Sequence, residues 1–461
     1  MISICANAQE PAIQPIDEIS IIEYFKSDAR KARDSIKAAQ KKPKKVYLVG
    51  IPSISSSPVT GFSVGVALSA AFVMGGDPKT TRFSSVNVVG AVTAKKQQAI
   101  SLSNHLYFKD EEWILHGSLN WRIFPMFTWG IGGGTPDNWG GQLENDGLTL
   151  DQMLMKKIGN KWYFGGGLNM DWIYKQNDEN QGKTVDYITD NRSNTSAEEF
   201  WNGINDELPF VIKSDEIPPQ FNDDWVSNKS AEYIQQTYFQ TPFQIYPYGT
   251  AGSIFYLGLT AAITHDTRDN INSTRSGSYF NFNYSFFPKG LSSGGGENWA
   301  LARLDMRKFW RLRSDKNILA AKLYVGLVTG KVPYTAVPAN ATDEGTATRG
   351  YTSFRYRGDN YLSGEVEYRR HIWKFLAGQV FLNAHTISEE KDYLAAMHLP
   401  LSDDGKFRYL NPGYGLGLNI ILNQKSRSTF RIDYAWNKFS FTSKHDEGKQ
   451  GVFYMGLNTA F

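Results

Sequence analysis

From Gly61 to Phe461 the chain repeats one pattern: side-chain character alternates with a period of two. In "GSYFNFNYSFF" Phe280, Phe282, Tyr284 and Phe286 alternate with Asn281, Asn283 and Ser285. "STFRIDYAWNKF" sets Phe430, Ile432, Tyr434 and Trp436 against Arg431, Asp433, Ala435 and Asn437. "SIFYLGLTAAI" and "NILAAKLYVGLV" behave in the same way, with Leu257 and Leu259 opposite Gly258 and Thr260, and Leu323 and Val325 opposite Lys322 and Tyr324. Successive residues of a strand face opposite sides, so this period specifies sheet. A soluble sandwich turns the apolar face inward. A membrane barrel turns it toward lipid and keeps the charges in its lumen.

Hydropathy leaves both options open but removes a third. No run of about 20 apolar residues is present to form a spanning helix, and mean hydropathy is −0.40. A barrel needs only about 9–11 residues per spanning strand, with alternate ones apolar. The formal charge is +3 with 21% charged residues, so no strong field points to nucleic acid or an acidic substrate. The single cysteine excludes an internal disulfide framework, and no Cys/His spacing suggests zinc or another metal. Seven histidines make no metal-binding pair, and His265 beside Asp266 reads as a turn residue. "GGGTPDNWGG" at 132–141 lacks the Lys-Ser/Thr of a phosphate loop and reads as a surface connection. No catalytic constellation or cofactor site emerges, and an enzyme is not expected.

Sixteen strands are expected, near 61–74, 81–95, 97–108, 112–124, 127–134, 146–158, 160–175, 253–266, 277–288, 298–312, 317–329, 360–372, 374–386, 411–423, 428–440 and 451–461. Alternate connections sort by length. Short turns at 95–96, 159–160, 313–316 and 423–427 fall on one side, and the long segments 176–252, 330–359 and 387–410 on the other. That asymmetry matches the short periplasmic turns and long extracellular loops of an outer-membrane barrel, and a sandwich has no reason to produce it. The fold class expected for 61–461 is therefore an all-β transmembrane antiparallel barrel facing outer-membrane lipids. The last strand carries Phe453, Met455, Leu457 and Phe461 in its outward series and resembles an outer-membrane assembly signal. The acidic stretch 196–226 reads as solvated loop over the barrel mouth.

Residues 1–15, with "ANAQ" before Glu10, read as the remnant of a secretory signal. Segment 16–45 is expected to be one amphipathic helix, with an apolar stripe and a basic sector of Lys26, Arg30, Arg33 and Lys37, stopped at Pro43. It plugs the lumen or joins the barrel wall, lies on the periplasmic leaflet, or docks a partner; the first reading is preferred. Residues 46–60, with Pro52 and Pro58, read as a linker.

One stretch carries a family resemblance. "TRGYTSFRYRGDNYLSGEVEYRR" resembles the signature of the superfamily of outer-membrane insertases and two-partner-secretion transporters, the BamA-, TamA- and FhaC-like barrels. The resemblance implies that Arg349, Gly350 and Tyr351 form the tip of a loop folded into the barrel. The strand holding Glu365, Glu367, Tyr368 and Arg369 then anchors it. "LTAAITHDTRDNINSTRSGSYFNF" is similar to the family's strand and periplasmic turn, through Asp266, Arg268, Asp269 and Gly277, and "SPVTGFSVGVALSAAF" to its first barrel strand. Elementary chemistry agrees, because a buried guanidinium needs carboxylate or carbonyl partners, and Glu365 and Glu367 both face inward by parity. Where many members place an Asp on the next strand this chain has Asn383, so a weaker cage resting on the two glutamates is expected.

The family's periplasmic polypeptide-transport-associated (POTRA) domains are not found in the segment before the barrel. The implied function is assistance to membrane-protein insertion or protein translocation without POTRA domains of its own. Its partners would be unfolded membrane-protein or secreted clients, acting at a weak seam between 61–74 and 451–461. The alternative is a passive or plugged pore, or a structural barrel.

Overall fold

The computed structural model describes residues 18–27, 46–57, 61–74, 82–108, 111–133, 135–246, 252–293, 297–340, 348–388, 410–424, 427–437 and 451–457. Its strands, in chain order, are β1 (Val46–Ser57), β2 (Gly61–Phe72), β3 (Ser84–Thr93), β4 (Gln98–Phe108), β5 (Trp113–Ile123), β6 (Met126–Thr128), β7 (Gly141–Lys157), β8 (Trp162–Asp178) and β9 (Ile254–Asp266). They continue with β10 (Gly277–Phe287), β11 (Ser292–Ser293), β12 (Trp299–Arg311), β13 (Asn317–Gly330), β14 (Asn360–Trp373), β15 (Leu376–Ser388), β16 (Asn411–Asn423), β17 (Ser428–Trp436) and β18 (Gly451–Leu457). All belong to one 18-stranded sheet, and each long strand pairs antiparallel with its neighbours in sequence. β6 and β11 have three and two residues, and the other sixteen form the wall of a transmembrane β-barrel.

The strand number agrees with expectation, but two errors cancel in it. The linker placed at 46–60 is instead a full strand over Val46–Ser57, laddered to β2 from Val46↔Phe72 to Ser57↔Gly61. Pro52 and the serines do not prevent this, because β1 is an edge strand on its other side and needs no donor there. The strand expected at 127–134 is only β6. It extends β5 along the far end of β7, and Pro125, which has no N–H, interrupts the two. Consequently the turn at Lys95–Lys96 lies on the same side as the long connections, and the turn at 109–112 takes its place among the short ones.

Burial gives the orientation of the wall. On β10, Phe282, Tyr284 and Phe286 are 40%, 45% and 41% exposed, whereas the inward Asn281, Asn283 and Ser285 are 7%, 5% and 1%. Apolar residues face out and polar ones are covered, the inverse of a soluble sandwich. Among the described residues no helix is long and apolar enough to cross a membrane.

The expected loop 176–252 is largely helical. Numbered after the short N-terminal α1 (Ile21–Tyr24), the helices following β8 are α2 (Glu179–Asn191), α3 (Ala197–Glu207), α4 (Asp223–Asn228), α5 (Ala231–Tyr238) and α6 (Pro242–Ile245). Side-chain caps start each of these five: Asp178, Ser196 with Glu199 in a capping box, Asn222, Ser230, and Thr241 with Gln244. Trp201, Phe200, Ile204, Phe221, Ile234 and Phe239 give this insert its own buried core.

Of the helix expected over 16–45, the structure describes α1 alone, capped by Ser20, whose Oγ accepts the Glu23 N–H at 3.2 Å. It packs on the β14–β15 turn at the barrel rim. Ile19 N donates to Lys374 O at 3.3 Å, and Tyr24 packs edge-on to Trp373 with ring centres 4.9 Å apart. Lys26 lies just past this turn of helix; Arg30, Arg33 and Lys37 are outside the described residues.

Candidate functional site

The connection from β13 to β14 folds back into the barrel and carries Arg349. Its guanidinium is met from two strands. Nη1 donates to Asp433 Oδ2 at 2.9 Å, Nη2 to Glu367 Oε2 at 2.5 Å, and Nε to Glu365 Oε2 at 3.3 Å, with a further bond from Nη2 to Glu365 Oε1. The ring of Phe381 on β15 stacks beneath it at 3.4 Å. Arg349 is 3% exposed and Glu367 and Asp433 are 0%, so the charges are removed from water and compensated almost wholly by each other. Arg369 Nε on Glu367 Oε1 at 2.5 Å and Arg431 Nε beside Asp433 Oδ2 at 3.0 Å complete the balance.

The next two residues explain why the motif needs those types. Gly350 has φ +107°, a left-handed conformation, and a Cβ there would lie 2.7 Å from Trp436 O. Its N–H donates to the Tyr454 hydroxyl on β18 at 3.0 Å. The Tyr351 hydroxyl reaches the carbonyl oxygens of Pro412 and, at 3.1 Å, Asn437. Asn383 is not a weakened ion-pair partner: its Nδ2 donates to the Arg349 carbonyl at 3.0 Å, holding the backbone of the tip.

Glu365 and Glu367, expected to carry more of a weaker cage, are joined by a third carboxylate. Asp433 on β17 supplies it. Strand parity already put Asp433 inward, but only the curvature of the sheet lets one guanidinium reach β14 and β17, three strands apart.

Two more arginines of the same loop were not singled out from sequence. Arg355 donates to Thr135 Oγ1 at 2.9 Å and Asp137 Oδ1 at 2.7 Å, and Arg357 to the carbonyls of Tyr334 at 2.9 Å and Val337 at 3.2 Å. Arg355 ties the loop to the connection between β6 and β7, and Arg357 ties its two limbs together. Around them Tyr334, Phe243 and Tyr246 pack with inward residues Tyr256, Phe287 and Trp299 in one buried cluster, closing this part of the long-loop end.

At the short-turn end the residues of the Asp-x-Arg-Asp turn separate into two hubs. Asp266 receives Arg268 through its N–H at 3.1 Å and Nε at 3.0 Å, and Arg82 Nη1 at 2.9 Å. Arg82 N–H donates in turn to Glu111 Oε1 at 3.1 Å, and Lys161 Nζ to Glu111 Oε2 at 2.7 Å. Asp269 accepts the N–H groups of Arg275 and Ser276 at 2.9 and 3.2 Å, then Arg427 Nη1 at 2.6 Å and Arg311 Nη2 at 3.2 Å.

Burial pushes the Asp269 carboxyl up, but Arg427 and the turn N–H groups outweigh it and hold the group below its ordinary range. Glu111 is likewise held low, burial being overcome by Arg82 and Lys161. Gly277 closes the turn at φ +105°, where a Cβ would lie 2.2 Å from Thr267 O. On β18, Phe453 and Met455 face outward at 47% and 39% exposure; Leu457 ends the strand, and Phe461 is outside the described residues. Among the described residues no His, Cys, Asp and Glu cluster is arranged to hold a metal ion.

The strands expected to form the seam are replaced by another pair. β2 is laddered on both sides, and the edges left are β1 and β18, which come close without a ladder among the described residues.

Residues 89–461 match the profile of the Omp85 superfamily domain. No curated protein matches the chain in sequence. Among solved structures it is similar to BamA from Haemophilus ducreyi lacking POTRA domains 1–3, at 12% identity over 91% of this chain and 71% of that one, with a TM-score of 0.49. It is also similar to CdiB from Acinetobacter baumannii, at 10% identity over 91% of this chain with a TM-score of 0.47. CdiB from Escherichia coli gives 9% identity over 90% of this chain and a TM-score of 0.47. The chain spans 60% and 63% of those two CdiB chains.

Proposed function

The chain belongs to the Omp85 superfamily, and on that premise we propose that it is an integral outer-membrane barrel that helps polypeptides into or across that membrane through its β1–β18 seam. The observation that carries the reading is that seam. Among the described residues β18 (Gly451–Leu457) comes close to β1 without a ladder between them, so both strands present an edge that an incoming strand could pair with. The tip of the anchored loop holds the same strand, through Gly350 N–H to the Tyr454 hydroxyl at 3.0 Å. Loop position and seam are thereby linked, which an ordinary solute pore does not require. The clients are unfolded membrane-protein or secreted chains, and the surrounding partner is lipid. The outward Phe453 and Met455 serve in the chain's own assembly.

The packed long-loop end favours a second reading, a barrel that stays shut and moves no polypeptide. Cysteine pairs across the seam separate the two, for example Leu48→Cys with Phe453→Cys in a Cys5→Ser background. Insertion or secretion of a client should stop on oxidation and return on reduction. Undiminished client handling by a fully cross-linked barrel would rule out the seam.

A further inference from the structure

The turn between β9 and β10 is ten residues long, much longer than the two-residue step from β14 to β15 at the same end. It does not hang into solvent. Thr274 is 1% exposed, Asn272 3% and Arg268 7%, so the turn is folded inward and covered. Its contacts fan out around the ring. Through Asp266 it reaches Arg82 ahead of β3; through Asp269 it reaches Arg311 at the end of β12 and Arg427 in the β16–β17 turn. Arg275 adds Asp315 in the β12–β13 turn at 3.2 Å and Glu18 of the N-terminal segment. A connection joining ring positions so far apart has to cross the mouth of the barrel.

The same turn touches the machinery of the Arg349 loop. Arg369 on β14 donates through Nη1 to the Thr274 carbonyl at 3.2 Å and through Nε to Glu367 at 2.5 Å, and the other oxygen of Glu367 takes Arg349 at 2.5 Å. One fully buried carboxylate thus stands between the loop entering from one end and the turn folded in from the other. Loss of either arginine leaves that carboxylate undercompensated, so the remaining partners must rearrange around it.

We infer that the β9–β10 turn is a second gate across the short-turn end of the lumen, latched by Asp269 and coupled to the Arg349 loop through Glu367 and Arg369. Opening of the loop then loosens the floor, and the N-terminal segment, through Glu18 and Arg275, is positioned to hold that floor shut. The gate depends on the barrel reading but not on the seam.

The test uses the full chain refolded in lipid vesicles, with Cys5→Ser and a reporter Thr274→Cys, a position that is covered while the turn is closed. Labelling by an impermeant maleimide is followed in time, and heat-modifiable migration in gels confirms each barrel. Asp269→Asn should speed labelling, and so should Arg349→Ala, each by about fivefold or more, as expected for coupled sites. With Arg369→Lys, which keeps the charge but loses the planar donor to Thr274, the Arg349→Ala effect should disappear.

An unchanged rate in Asp269→Asn overturns the gate. A rate within about twofold of the parent in Arg349→Ala overturns the coupling. Should Arg349→Ala not fold, Tyr351→Phe, which removes the hydroxyl bonds at the loop tip, replaces it with the same criteria. No client is present, so failure of the seam reading leaves these rates untouched.

Discussion

The two ends of this lumen are closed by different physics. At the long-loop end the closure is aromatic: Tyr334 is fully buried between Phe243 and Tyr246, with ring centres at 5.0 and 5.4 Å, and Phe287 stacks on Trp299 at 3.7 Å. At the short-turn end it is ionic, built on Asp266, Asp269 and Glu111 with Arg82, Lys161, Arg268, Arg311 and Arg427 around them. Apolar burial is non-directional and tolerates adjustment, so the outer closure behaves as a packed core. Ion pairs depend on geometry and on the charge state of each partner, so the inner closure can be undone by one proton or one displaced side chain. The end with the larger structure is therefore the static one, and the end with the shorter connections is the adjustable one.

The largest effect bearing on this contrast is expected from Tyr334→Ala. Removing a fully buried aromatic ring should cost about 3–5 kcal/mol, seen as a lower urea midpoint and as protease cleavage within 331–359. Labelling at the short-turn end should rise less than in Arg349→Ala, because Tyr334→Ala leaves the Arg349–Glu367 contact in place. Equal exposure of both ends would erase the distinction.

Asn383→Asp comes next. It restores the acidic residue that the family resemblance calls for near the loop arginine. It should nevertheless destabilise by about 1–3 kcal/mol, because it replaces the donor to the Arg349 carbonyl with a second acceptor. A more stable variant in the same urea titration would mean that the side chain turns to the guanidinium instead.

The smallest effect is the response to pH. Asp269 and Glu111 are both held below their ordinary range in the fold. Their stabilisation is fully present above the unfolded values of about 4 and is lost as pH falls through the lower folded values. Amide hydrogen exchange across 267–276, corrected for its intrinsic pH dependence, should therefore accelerate on acidification below about pH 4, while exchange across 331–359 stays level. Acceleration on raising the pH would contradict the sign of both shifts.

How much of this was legible in the residues differs from place to place. Inward and outward faces follow from alternation alone, since parity is local: Glu365, Glu367, Asn383, Phe453 and Met455 all point where a period of two puts them. The "RGY" tip and Glu367 were also readable as a motif, with Glu365 added by parity. Strand 46–57 was hidden by Pro52 and a run of serines, which carry no apolar alternation. The capped helices of 179–245 were overlooked although Ser196 with Glu199 and Thr241 with Gln244 are local signals present in the sequence.

A sheet with an apolar exterior, its sorted connections and the residue types of the loop tip all depend on neighbours along the chain, and the order of residues is enough to specify them. Which carboxylates meet Arg349, that β1 rather than β2 borders the seam, and that Thr274 and Arg349 are linked through Arg369 and Glu367 became visible only in three dimensions. Those are contacts between strands separated around a ring. The curvature that brings them together is a property of all sixteen long strands at once and is written in no single stretch.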